Sequence, residues 1–252
     1  MSIVVERERA IAIVTIDRQE AMNALDVATI VELRDRLREL ADDAGVSVVV
    51  LTGAGEKAFI GGADIKYMAQ VNEAQAAEFA GVGHEAGRLL ETMPKVTIAA
   101  VNGYALGGGC EIALACDIRY ASSNAKFAQP EVNYGLIPGW GGTQRLARAT
   151  TVGFAKELIF TGRFIGAEEA ASRGLVEAVH DPVLEKALES ARLAAKKGPR
   201  AIAVAKELVN RSLQGDHRAN LADEEAKLGE VLVSPEAREG LAAFVEKRDP
   251  SF

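Results

Sequence analysis

A layered α/β fold is what the amino-acid sequence predicts, and three features carry the prediction. Val46 to Leu51 and Val96 to Val101 are short, almost wholly apolar runs that each end in a glycine-containing turn, as expected of strands buried on both faces of a largely parallel sheet. Between them, from about Glu73 to Met93, lies an alanine-rich stretch that reads as helix. From Gly141 onward almost every segment reads as helix, broken at Gly162, Gly166, Gly174, Pro182, Gly198-Pro199, Gly215 and Ser234-Pro235. Strand, loop, helix repeated in this way argues for right-handed crossovers that build a layered core.

The elements follow in order. Ile3-Val4-Val5 turns through charged residues into Ala10 to Ile16, a hairpin whose β-branched residues favour extended backbone. Asp26 caps a helix in which Ile30, Leu33, Leu37 and Leu40 form one buried stripe, while Glu32, Arg34, Asp35, Arg36 and Arg38 cover the solvated face. A weaker third turn of strands is read at Ile118 to Ala121 and Lys126 to Ala128. At the far end, Glu236 to Lys247 sets Ala237, Leu241 and Phe244-Val245 on one side, suited to docking on the core or on another subunit.

The 252 residues fit one large α/β unit with a small C-terminal appendage as well as two equal domains. A formal charge of -7 disfavours nucleic acid and anionic membrane as partners, since both require a positive field. The first residues lack a basic stretch followed by an apolar run, and no apolar run reaches the ~20 residues of a membrane helix, so a cytoplasmic location is expected. Cys110 and Cys116 are read as reduced thiols in packing roles.

Two glycine-rich loops, each just after a buried strand, carry the chemistry. Phe59-Ile60-Gly61-Gly62-Ala63-Asp64-Ile65-Lys66 is the first; Gly103-Tyr104-Ala105-Leu106-Gly107-Gly108-Gly109-Cys110-Glu111 is the second and runs into a helix. Brought side by side, such loops can aim two backbone N–H groups at one oxygen, as an oxyanion hole does. The glycines equally suit a plain strand-to-helix turn. Glu111 opens a helix, where a carboxylate gains about a few tenths of a kcal/mol from the dipole alone. Its apolar neighbours Cys110, Ile112 and Ala113, however, point to a poorly hydrated carboxyl. Glu131, twenty residues on, is likewise an acid in an apolar loop. Two such groups can share one water, one removing its proton and the other supplying a proton to carbon.

Other chemistries lack support. His84, His180 and His217 are scattered without ligand spacing, and no metal site is expected. Neither a nucleophile elbow nor a phosphate-binding loop is present. The glycines at 81, 83 and 87 lie inside a helical run, not after a strand, and are discounted as a dinucleotide loop.

Taken together, Ala58 to Lys66, Ile98 to Glu111, Gln129-Pro130-Glu131 and Ile137-Pro138-Gly139-Trp140-Gly141-Gly142-Thr143-Gln144-Arg145-Leu146 resemble the crotonase, or enoyl-CoA hydratase, family, with further similarity from Met22-Asn23-Ala24-Leu25 to Arg248. That resemblance implies a spiral of ββα turns over residues 1-195 that carries the CoA and catalytic site. It also implies a helical trimerisation region over 196-252, assembled as a homotrimer or dimer of trimers. It makes Glu111 and Glu131 the catalytic pair, with Glu111 activating water and Glu131 protonating the α-carbon. The N–H groups of Ala63 and Gly108 become the oxyanion hole. Ala63, Asp64, Ile65, Lys66, Gly108, Trp140, Phe244 and Lys247 become substrate-binding residues, the last two often across a subunit boundary. The acyl-CoA thioester is substrate and no separate cofactor is implied. Both acids favour hydration over isomerisation, dehalogenation or thioester hydrolysis, and the alternatives on the same fold are an enoyl-CoA isomerase or a specialised hydratase-lyase, told apart by their products. Some relatives bind RNA through a lysine-rich helix, but the early helix here mixes its arginines with Glu32, Asp35 and Glu39. Gly61 and Trp140 stand where hydratases often carry alanine, and the bulk of Trp140 suggests short acyl chains.

Overall fold

The computed structural model describes residues 2–212 and 214–252. A six-stranded sheet is ordered β1 (Ile3–Glu8), β2 (Ile11–Ile16), β3 (Val48–Gly53), β5 (Val96–Val101), β7 (Ile118–Ala121), β10 (Ala178–Val179). The β1/β2 hairpin is antiparallel and the rest of the sheet is parallel. A smaller sheet is ordered β4 (Ala58–Ile60), β6 (Tyr104–Leu106), β8 (Lys126–Ala128), β9 (Ile165–Gly166). From β3 onward each pass of the chain lays one strand in the large sheet and one short strand in the small sheet. The first two such passes then return through a helix, α3 (Glu73–Thr92) and α4 (Gly108–Ala115), which makes the turn ββα.

The unbroken apolar runs are explained by burial on both faces. Val49 and Leu51 of β3, with Ala99 and Val101 of β5, enter a core shared with α1 (Val27–Asp42), α3 and α4. Val48, Val50, Ile98 and Ala100 point the other way, against Val183, Ala187, Leu188 and Ala191 of α8 (Val183–Ala194). Period-two alternation therefore holds, but both sets are apolar. Asp26 caps α1 by accepting from the Thr29 N–H at 2.8 Å, and Ile30, Leu33, Leu37 and Leu40 are buried as their spacing predicts.

The C-terminal half is helical through α5 (Gly142–Ala149), α6 (Val152–Thr161), α7 (Ala167–Ser172), α8, α9 (Pro199–Arg211), α10 (His217–Leu232) and α11 (Pro235–Glu246), interrupted by the two-residue strands β9 and β10. Lys206 ties α9 to the core, donating to the carbonyls of Leu90 and Lys95 at 2.9 Å and pairing with Asp117 at 2.9 Å. On α11 it is Ala243 that faces inward, whereas Leu241, Phe244 and Val245 are exposed within the chain. Among the described residues no helix is long and apolar enough to cross a membrane.

Candidate active site

The two glycine-rich loops and the 130–140 segment enclose a cavity of about 430 Å³. Ala63, Ile65, Gly108, Glu111, Glu131 and Trp140 all line it, with Met68, Val71, Phe79, Leu106, Ile137 and Phe164 among the apolar residues around them. Apolar walls strengthen any charge interaction made inside.

Among the described residues the two candidate N–H donors have no acceptor, for separate reasons. Ala63 forms a parallel bridge with Leu25, in which the Leu25 N–H donates to the Gly62 carbonyl and the Asp64 N–H to the Leu25 carbonyl. That pattern consumes the groups on either side of Ala63 and leaves its own N–H pointing the other way. Gly108 is the first residue of α4, and its N–H has no intrahelical acceptor. Its orientation is set by Gly107, whose φ of +50° turns the chain sharply while its N–H donates to the Ala128 carbonyl at 2.9 Å. A Cβ at Gly107 would also fall 2.6 Å from Glu131 Oε1, so the turn is glycine for the sake of the acid above it as well.

Glu111 is buried in the first turn of α4, and its Oε1 accepts from the N–H groups of Trp140 at 2.8 Å and Gly142 at 2.6 Å. It therefore lies at the N-terminal ends of α4 and α5, both of which favour negative charge. Burial raises its pKa, and the Gly142 and Trp140 N–H groups pull it part of the way back. Glu131 begins a 3-10 turn, Glu131–Tyr134, after β8. Burial pushes its carboxyl up to about 7, helped by the nearby Glu111 charge. Gln129, fully buried, donates to both Glu131 oxygens at 3.2 Å when its amide nitrogen faces the carboxylate. One acid is thus gripped by donors that suit its ionised form, and the other is poised to carry a proton near neutrality.

Trp140 is wedged between α3 and α4. A Cβ on Gly83 would approach three atoms of its indole closer than 3.0 Å, and one on Gly108 would meet Cζ3 at 2.5 Å. Phe79 packs on the ring edge-on at a centroid distance of 5.1 Å. The other marked residues lie elsewhere. The Asp64 carboxylate caps α2 (Ile65–Met68), accepting from the N–H groups of Lys66 at 2.9 Å and Tyr67 at 3.2 Å, and faces Arg18 at 3.8 Å. Lys66 is exposed outside the cavity lining, and Phe244 and Lys247 are exposed on and just after α11. Cys110 is buried with its thiol pKa pushed up by burial, an inert packing group.

The sequence reading passed over Gln129 and Arg145 as individuals and dismissed Gly83 and Gly87. The signal for the last two was present: glycines four apart inside a long helix mark places where something else packs against the backbone.

Known proteins resemble this chain along its whole length. A profile of the enoyl-CoA hydratase/isomerase family matches residues 6–252. A short-chain-enoyl-CoA hydratase of Clostridium acetobutylicum is 45% identical over 249 residues, covering 98% of this chain and 95% of that one. A crotonyl-CoA hydratase of Syntrophomonas wolfei is 42% identical over 253 residues, covering 100% and 97%. The crystal structure of an enoyl-CoA hydratase from Bacillus anthracis superposes with a TM-score of 0.96 at 41% identity, covering 100% of this chain and 99% of that one. With a family match that runs nearly end to end and a fold that superposes throughout, the chain belongs to the enoyl-CoA hydratase/isomerase family.

Proposed function

We propose that the protein is an enoyl-CoA hydratase that adds water reversibly across the double bond of a trans-2-enoyl-CoA. The observation that carries this reading is the presence, in one apolar cavity, of two carboxyls, one of them held by two backbone N–H donors, and two backbone N–H groups without an acceptor among the described residues. The thioester oxygen accepts from the N–H groups of Ala63 and Gly108, which stabilise the enolate-like charge that develops as water attacks. A single water is held between the two glutamates. Glu111, gripped by the Trp140 and Gly142 N–H groups, takes its proton as the oxygen adds to the β-carbon. Glu131 delivers a proton to the α-carbon from the same side, so addition is syn. Isomerisation needs only relocation of one proton and leaves a second carboxyl without a role.

In the same reading the acyl chain occupies the apolar end of the cavity and the nucleotide lies outside, where Lys66 and, from a neighbouring subunit, Phe244 and Lys247 meet it. Self-association as a homotrimer or dimer of trimers would cover the exposed Leu228, Leu232, Leu241, Phe244 and Val245. A cytoplasmic enzyme is part of this proposal.

The test is loss of the ultraviolet absorbance of crotonyl-CoA on mixing with purified protein, with the product identified. Formation of 3-hydroxybutyryl-CoA is expected; a product with a displaced double bond would replace hydration with isomerisation.

A further inference from the structure

The segment that grips Glu111 is itself gripped from behind. The Trp140 carbonyl accepts from Arg145 Nη1 at 2.8 Å, and Arg145 Nη2 pairs with Glu91 Oε2 of α3 at 2.8 Å. The guanidinium lies over Gly87, where a Cβ would meet Nη1 at 3.1 Å and Nη2 at 3.3 Å. One turn earlier on α3, Gly83 admits the Trp140 indole. Thus α3 carries two notches four residues apart on one face, one filled by an aromatic ring and one by a cation, and both key the 140–145 segment into place.

Only 13% of the Arg145 side chain is exposed. An ion pair with the half-exposed Glu91 returns too little to offset burying a guanidinium. The second bond is the informative one. The carbonyl it holds belongs to the peptide unit between the two N–H groups that reach Glu111. Fixing that plane fixes ψ of Trp140 and φ of Gly141, which stands at +106°. Together with ψ of Gly141, those angles set the direction of the Gly142 N–H, the shorter of the two bonds to Glu111.

We propose that Arg145 is a positioning residue for hydration: by clamping the Trp140–Gly141 peptide it aims the Trp140 and Gly142 N–H groups and holds Glu111 in one orientation towards the shared water. This rests on the hydratase reading above. The charged or titratable groups around Glu111 are Glu131, Arg145 and the adjoining Cys110. Those around Arg145 are Glu91, with His84, Glu85 and Arg88 lining the same surface hollow. The Arg145 charge acts on Glu111 and favours its ionised form.

The experiment compares full-length wild type with Arg145→Gln and Arg145→Lys in two readouts: crotonyl-CoA kinetics, and the Glu111 titration midpoint from carboxyl-labelled glutamate NMR, assigned with Glu111→Gln. For Arg145→Gln, kcat is expected to fall about ten- to a hundredfold with KM within about threefold, because a loosened acid/base loses alignment rather than substrate binding. The Glu111 midpoint should rise. Arg145→Lys, a point charge without the fork, should restore the midpoint more fully than kcat. A folded Arg145→Gln with kcat within about twofold of wild type, a loss confined to KM, or an unmoved Glu111 midpoint overturns the proposal. If Arg145→Gln does not fold, Arg145→Lys decides by the kcat readout. A wild type inert towards crotonyl-CoA overturns the hydratase reading instead, and the Glu111 midpoint then decides alone on Arg145.

Discussion

Two alanine substitutions on one helix should move stability in opposite directions. Gly81 and Gly83 both lie inside α3, where glycine costs about 1 kcal/mol relative to alanine. A Cβ at Gly81 meets nothing within 4 Å, so Gly81→Ala collects that gain without a clash. At Gly83 the new carbon lands on the Trp140 indole, whose own position is fixed by Gly108 and Phe79. No flexible tip can swing aside, and overpacking of this kind costs about 3 kcal/mol, leaving a net loss of about 2 kcal/mol after the helix gain. At about 2–4 °C per kcal/mol for a chain of this size, Gly81→Ala should raise Tm by about 2–4 °C and Gly83→Ala should lower it by about 4–8 °C. Thermal unfolding by circular dichroism at one fixed protein concentration is the assay, because self-association would make Tm concentration-dependent. Gly83→Ala should also lose at least about tenfold in hydration rate, since moving Trp140 moves an N–H donor to Glu111, while Gly81→Ala keeps full activity. Equal shifts of the same sign in the two variants would refute the wedge and its connection to the acid.

Two further predictions follow from the same cavity. Because the Glu131 pKa in the fold, about 7, lies above its ordinary 4.5, the folded protein holds a proton that the unfolded chain has released between those values. Its contribution to stability is therefore lost as pH rises through that window, by at most about 3 kcal/mol. Glu131→Gln should gain on wild type in denaturation midpoint from about pH 4.5 to about pH 7, and a constant margin would show that the carboxyl is not perturbed. With Trp140 and Phe79 packed along the cavity, four-carbon enoyl thioesters should outpace sixteen-carbon ones in kcat/KM; equal turnover would remove Trp140 as a limit on chain length.

Much of this architecture was legible because its signals are local. Val96 to Val101 reads as a buried strand and is β5, and Asp26 followed by a leucine stripe reads as a capped helix and is α1. Of the small sheet only β8 was legible, as the weak strand signal at Lys126 to Ala128. Strands β4 and β6 are three residues each, too short to show alternation, and exist through pairing across distant sequence. Glu111 and Glu131 were visible as acids in apolar settings, but their sharing of a cavity depends on how β6 and β8 pair. The grip on Glu111 could not be read from composition at all, since its donors are backbone N–H groups of Trp140 and Gly142. Phe244 and Val245 illustrate the reverse: an apolar pattern on a helix does not say that the same chain buries it, and here both side chains are exposed.

The proposed hydration requires that Glu111 and Glu131 act together on one water. It is tested most directly by crotonyl-CoA hydration rates for Glu111→Gln, Glu131→Gln and the double variant. Each single change should lower kcat by about 10²- to 10⁴-fold, and the double variant should fall little below the worse single, because either loss already disables the shared step. Losses that multiply, or a single variant close to the wild-type rate, would contradict the account.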